Sequence, residues 1–202
     1  MTCLLIHGFN GAPNHHWYAS LGPLLESAGL AYIAPAMPEP NRPQCSAWLS
    51  TIKTAYDNID GEIILVGHSL GTRAALLFLE QYQAPVKACL LVGAFSNDIA
   101  NGQRRGSVYG TFFEHLIDIT VVKLECGRFI VLHSTDDQSI PYAQGAQIAG
   151  DLDAELMTQN GFGHFTSAND ASLISQLIIA CGSLVLTGAR HNHKDKQWLI
   201  EK

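Results

Sequence analysis

The stretch LVGHSLGTRAAL, Leu65 to Leu76, decides how this chain is read. An aliphatic run enters it, Gly67-His68-Ser69-Leu70-Gly71 crosses its middle, and a helical pattern leaves it. A serine between strand and helix must turn the chain sharply, often at unfavourable backbone angles. Side chains two residues to either side would collide in so tight a turn, and Gly67 and Gly71 remove them. The helix behind the serine offers unpaired N–H groups and a partial positive charge, and both favour a developing oxyanion. The pentapeptide alone is a short motif that also fits a plain glycine-rich turn. It acquires chemical meaning only if other loops supply a base and an acid in the right order.

Outward from this stretch, six short aliphatic runs recur: 3–8, 31–36, 62–67, 88–94, 128–134 and 154–159. Their apolar residues are nearly continuous, as expected of strands covered on both faces. Amphipathic stretches alternate with them. In SAWLSTIKTAYDNI, for example, Trp48, Ile52 and Tyr56 recur every four residues. This alternation predicts an α/β fold, a doubly wound, six-stranded, mostly parallel sheet with helices on both faces. The active crevice of such a sheet lies beyond the carboxyl ends of its strands. The segment 95–127 breaks the rhythm. It is polar and glycine-rich at first, and its second half reads as one helix carrying Phe112, Phe113, Leu116 and Val122. It leaves the carboxyl end of a strand and is expected to cover the site in part. A single domain over 1–187 and a polar tail over 188–202 complete the expected organisation.

Composition limits the function classes. A chain of 202 residues with 47% hydrophobic and 15% charged residues suits one compact domain. A formal net charge of -6 lacks the basic surface of a nucleic-acid binder. No apolar run approaches the ~20 residues of a membrane helix. The start, Met1-Thr2 followed by CLLIHG, lacks the pattern of a signal peptide. The cysteines Cys3, Cys45, Cys89, Cys126 and Cys181 are odd in number and scattered, which fits reduced thiols in a cytoplasmic protein. His191 and His193 have no third ligand nearby, so no metal is expected, and no cofactor is required.

A serine hydroxyl needs a base to act as nucleophile near neutral pH. Among nine histidines, His164 in NGFGHF follows the last strand, and glycines at 161 and 163 allow a sharp bend there. His133 ends a strand but precedes any suitable acid. His68 adjoins Ser69 and should point elsewhere, and His7 reads as structural. His15 and His16 could line a pocket. The acid falls in HSTDDQSIP, where either Asp136 or Asp137 could reach His164 and the other could cap the helix beginning near Pro141. The order Ser, Asp, His is that of an α/β-hydrolase sheet. The oxyanion hole is expected from the N–H groups of Leu70 and of Phe9 in HGFNG. Phe9, Trp17, Phe95, Phe162 and Phe165 are candidate pocket-lining residues, with core packing as the alternative for each.

On these segments the chain resembles the retinoblastoma-binding serine hydrolase family, compact proteins without a large cap domain. The matching residues are HHWY, AMPEP followed by AWL, IILVGHSLG, STDDQSIP and GFGHF. The resemblance implies Ser69 as nucleophile, His164 as base and Asp137 as the acid. It departs in two places. The oxyanion loop has His-Gly-Phe-Asn-Gly instead of a longer glycine-rich run. LECGR (Leu124 to Arg128) has Arg where a retinoblastoma-binding Leu-x-Cys-x-Glu peptide needs Glu, so that partner is not expected. The expected function is a serine hydrolase acting on a small ester, with a thioester or amide ranked lower. A non-catalytic binding protein and an acyltransferase using the same residues are the alternatives.

Overall fold

The computed structural model describes residues 1–98 and 106–183. Its sheet comprises β1 (Thr2–Ile6), β2 (Ala31–Ile33), β3 (Ile63–His68), β4 (Ala88–Val92), β5 (Phe129–Ser134) and β6 (Glu155–Gln159). The spatial order is β2-β1-β3-β4-β5-β6, and every neighbouring pair is parallel. All six aliphatic runs are therefore strands, and the sheet is wholly parallel where mostly parallel was expected. The helices are α1 (Tyr18–Ser27), α2 (Cys45–Asp57), α3 (Leu70–Tyr82), α4 (Ile119–Leu124), α5 (Tyr142–Asp151) and α6 (Ala171–Ser183).

Alternate strand residues feed two cores, one on each face. Leu4, Ile6, Leu65, Leu91 and Val131 pack with Trp48 and Ile52 of α2, Phe78 of α3 and Ile148 of α5. Cys3, Leu5, Val66, Leu90 and Leu132 pack with Leu21 and Leu25 of α1 and with Ile174 and Ile178 of α6. Burial on both sides explains why the central strands read as unbroken apolar runs. The edge strands β2 and β6 are partly exposed.

Local signals start the later helices. Ser167 and Asp170 form a reciprocal capping box on the 3-10 turn Ala168–Asp170, which leads into α6. The Asp118 carboxylate accepts from the N–H groups of Thr120 and Val121 and opens α4.

The cover departs from expectation. The second half of 95–127 is a 3-10 turn at Gly110–Phe113 and the separate helix α4, not one helix. Phe112, Phe113 and Val122 are buried, but Leu116 is 57% exposed. The backbone between the two pieces bonds to side chains instead of to itself. The buried Arg73 of α3 donates to the carbonyls of Phe112 (2.9 Å) and His115 (2.6 Å). Asn97 accepts from Ile117 N–H (3.0 Å) and donates to its carbonyl (2.9 Å). Glu80 accepts from Asp118 N–H at 2.6 Å. Groups held this way are not free for a helical ladder. Part of the polar first half of the cover (99–105) and the tail 188–202 lie outside the described residues.

Candidate active site

The chain passes from β1 to β2 in one direction across the sheet and from β3 to β6 in the other. The reversal falls between β1 and β3, where Ile6 pairs with Gly67. Loops leaving the carboxyl ends of these two strands must therefore lie side by side. One carries Gly8 and Phe9, and the other carries Ser69.

Ser69 has φ 54° and ψ -121°, a conformation uncommon for a residue with a side chain. Such strain costs about 1–3 kcal/mol and persists only when the surroundings enforce it. Here they do. Ser69 N–H donates to the Val92 carbonyl (2.9 Å), and the Ser69 carbonyl accepts from Thr72 N–H (2.9 Å) and Thr72 Oγ1 (2.7 Å). A Cβ on Gly67 would come within 2.6 Å of the Gly71 carbonyl, and one on Gly71 within 2.2 Å of the Ile6 carbonyl. Both glycines are thus required by close approach. Gly8 is a third case, since its added Cβ would lie 2.9 Å from Ser69 Cβ.

His164 and Asp137 meet Ser69 in line. His164 Nε2 lies 2.9 Å from Ser69 Oγ, and His164 Nδ1 lies 2.7 Å from Asp137 Oδ2. A carboxylate only accepts, so Nδ1 carries the proton and Nε2 is left to accept from the serine hydroxyl. The imidazole is 15% exposed, and the carboxylate beneath it is fully buried. Burial pushes the Asp137 pKa up, but hydrogen bonds from His164, Ile140 N–H and Ser139 N–H outweigh it and hold the acid below its ordinary value. Asp137 is therefore an anion against the His164 imidazole.

The other aspartate does not cap the helix near Pro141, which begins without a side-chain cap. Asp136 turns toward the base loop, where Oδ1 accepts from Gly161 N–H (3.0 Å), Gly163 N–H (3.2 Å) and the Ser134 hydroxyl. The Ser134 hydroxyl, together with these two amides, lowers its pKa. One carboxylate of the pair orients the imidazole, and its neighbour shapes the loop that carries it.

Leu70 opens α3, so its N–H precedes the helical ladder, beside the serine. Phe9 follows Gly8 in the adjacent loop. That loop is braced from below: Asn10 N–H donates to the Pro40 carbonyl (2.7 Å), and the buried His7 accepts from Met37 N–H (3.1 Å). Trp48 Nε1 donates to the Pro38 carbonyl at 2.9 Å. The AMPEP segment thus supports the oxyanion-side loop. His7 is structural, as expected.

The five aromatic candidates divide. The Phe9 ring is 38% exposed and packs edge-on against Tyr109 at 5.4 Å. Phe95 is half-buried and neighbours Tyr109 and Phe113. These rings from the loop after β1 and from the cover form one aromatic cluster, and Tyr109 is a member that the sequence did not single out. Trp17 and Phe165 are fully buried and belong to the core, so pocket lining does not hold for them. Their partners explain it: Trp17 Nε1 donates to the Phe165 carbonyl (3.0 Å), and Phe165 lies under the half-buried Phe162 in a stacked pair. Two surface concavities of about 400 and 450 Å³ lie elsewhere, between the start of α2 and the cover, both lined by Gln44, Thr111 and Glu114.

Two histidines gain roles that spacing did not assign. His133 is fully buried below the acid, with Nε2 donating to the Ile140 carbonyl (2.9 Å) and 3.5 Å from Asp137 Oδ2. His68 is buried, its ring 5.1 Å from that of His164. Histidines in HGF, GHS and LHS carry no sequence mark of ring direction. The only signal was their place at strand ends.

Comparison with known proteins gives the family and the fold. The family model described as "Serine hydrolase" matches residues 3–175. Serine hydrolase RBBP9 of Rattus norvegicus is 31% identical over 169 residues, covering 83% of this chain and 88% of that one. YdeN of Bacillus subtilis (strain 168) is 29% identical over 163 residues, covering 80% and 84%. The crystal structure of the ydeN gene product from B. subtilis aligns with a TM-score of 0.81 at 24% identity, over 90% of this chain and 98% of that one. This chain belongs to the serine hydrolase family and has a minimal α/β-hydrolase fold.

Proposed function

We propose that this hydrolase cleaves small carboxylic esters through a covalent acyl-serine intermediate, with Ser69 as nucleophile, His164 as base and Asp137 as acid. The observation that carries the reading is the aligned pair of contacts, 2.9 Å from Ser69 to His164 and 2.7 Å from His164 to Asp137. As Ser69 Oγ attacks the ester carbonyl, its proton passes to His164 Nε2, and the imidazolium is stabilised by ionised Asp137. The carbonyl oxygen becomes an oxyanion held by the N–H groups of Phe9 and Leu70, each donor contributing about 3–4 kcal/mol to the transition state. His164 then gives the proton to the departing alkoxide, the C–O bond breaks, and the acyl group stays on Ser69. Water repeats the sequence in reverse roles and releases the acid.

The aromatic cluster of Phe9, Phe95 and Tyr109 favours an apolar group on the substrate. No metal or cofactor enters any step. The free cysteines fit a reducing, cytoplasmic setting. A panel of 4-nitrophenyl esters of graded acyl length tests the reading. Turnover by the wild type and none by Ser69→Ala is expected. Equal turnover by both overturns it. Including alcohol acceptors and analysing products separates hydrolysis from acyl transfer.

A further inference from the structure

Three consecutive carbonyls of the base loop are each held by a ring N–H. His68 Nε2 donates to the His164 carbonyl (2.8 Å), Trp17 Nε1 to the Phe165 carbonyl (3.0 Å) and His16 Nδ1 to the Thr166 carbonyl (2.9 Å). The donors come from the segment before α1 and from the residue before the nucleophile. Phe165 itself has φ 52°, a turn that needs such restraint. The base therefore does not rest on the flexibility suggested by its two neighbouring glycines.

His68 is the member that reaches furthest. A carbonyl only accepts, so Nε2 of His68 carries the proton and Nδ1 must accept. The group at Nδ1 is the Tyr18 hydroxyl, which acts as donor there. A continuous path thus runs from Tyr18 of α1 through His68 to the His164 carbonyl, behind Ser69. Tyr18 and His68 are 1% and 2% exposed, so water does not compete for these bonds.

We propose that His68 is a positioning residue, which with Tyr18 fixes the place of the His164 loop behind Ser69. The proposal rests on the reading of Ser69 and His164 as the catalytic pair. Burial, followed by the neighbouring His164, depresses the His68 pKa to about 3, so the ring stays neutral and keeps the one tautomer that serves both neighbours. It touches no reacting atom and acts through the loop that carries His164.

The test measures kcat, KM and thermal midpoint for His68→Phe, His68→Gln and Tyr18→Phe with 4-nitrophenyl acetate, beside the rate of fluorophosphonate labelling. His68→Phe keeps an aromatic ring and loses the donor. Its kcat should fall about 10- to 100-fold, the scale of a misplaced catalytic group, with KM little changed. His68→Gln carries its amide N–H near the position of Nε2, can still donate to the His164 carbonyl and should recover most of that loss. Tyr18→Phe removes only a hydroxyl from a buried ring, so it keeps the test decisive if His68→Phe does not fold. It too should lose kcat and not KM. Unchanged kcat in Tyr18→Phe, or losses in both His68 variants that track the thermal midpoint alone, overturns the proposal. A folded wild type that neither labels nor turns over ester overturns the triad reading itself, a result distinct from an active wild type with unaffected variants.

Discussion

At the scale of single residues, the site depends on two adjacent carboxylates with different work. Asp137 lies under the imidazole, while Asp136 gathers amides of the loop that holds it. Asp137→Asn should lower kcat by about 10⁴, because an amide no longer fixes the tautomer that leaves Nε2 free. Asp136→Asn leaves the relay intact and should show a smaller loss, together with faster amide exchange at Gly161 and Gly163. Steady-state kinetics on both variants checks the order, and an equal or larger loss in Asp136→Asn contradicts it. The residues that meet at the candidate site, Ser69, His164 and the aspartate pair, were legible in the sequence because each sits in a short loop motif directly after a strand. Spacing left the choice between Asp136 and Asp137 open, since it depends on which way each side chain leaves the turn. The direction of the His68 and His133 rings was illegible for the same reason.

At the scale of elements, α3 does more than present the serine. Arg73, one turn beyond Ser69, is 1% exposed and donates to Phe112, His115 and Asn97 while its guanidinium lies 5.0 Å from the Phe113 ring. Glu80, two turns further on, accepts from Asp118 N–H and pairs with His115. One helix thus begins at Ser69 and carries the anchors of the cover. Arg73→Leu should leave the Phe112 and His115 carbonyls without these donors, at about 1–3 kcal/mol for each buried group. The urea midpoint should drop, and proteolysis within 106–118 should quicken. An unchanged midpoint contradicts the anchoring role. Strands and longer helices were readable here because period and length announce them. The broken cover helix was not, because its backbone is claimed by side chains of α3 and Asn97 that lie far away in sequence.

At the scale of the whole molecule, the sheet reversal between β1 and β3 assembles loops from distant parts of the chain into one site. That assembly buries histidines in a neutral state. Desolvation lowers the pKa of His7, His68 and His133. In the unfolded chain each regains an ordinary value near 6.5, so below that pH the unfolded state binds more protons. Stability should therefore fall as pH drops from about 7 toward 5, by up to about 1.4 kcal/mol per pH unit for each such group. Asp137, with its lowered pKa, has a separate window. Its contribution is present above the unfolded carboxylate pKa and is lost only as pH falls through its folded value. Denaturant midpoints between pH 7.5 and 5 check the histidine window, and a flat profile contradicts it. The doubly wound architecture was legible from alternation alone, whereas the buried rings behind the site emerge only once the loops are packed.

The most direct test of the central claim is the intact mass of the protein after reaction with a fluorophosphonate, followed by peptide mapping. The account predicts one adduct on the wild type, located on Ser69, and none on Ser69→Ala. An adduct that persists on folded Ser69→Ala, or maps to another residue of the wild type, contradicts it.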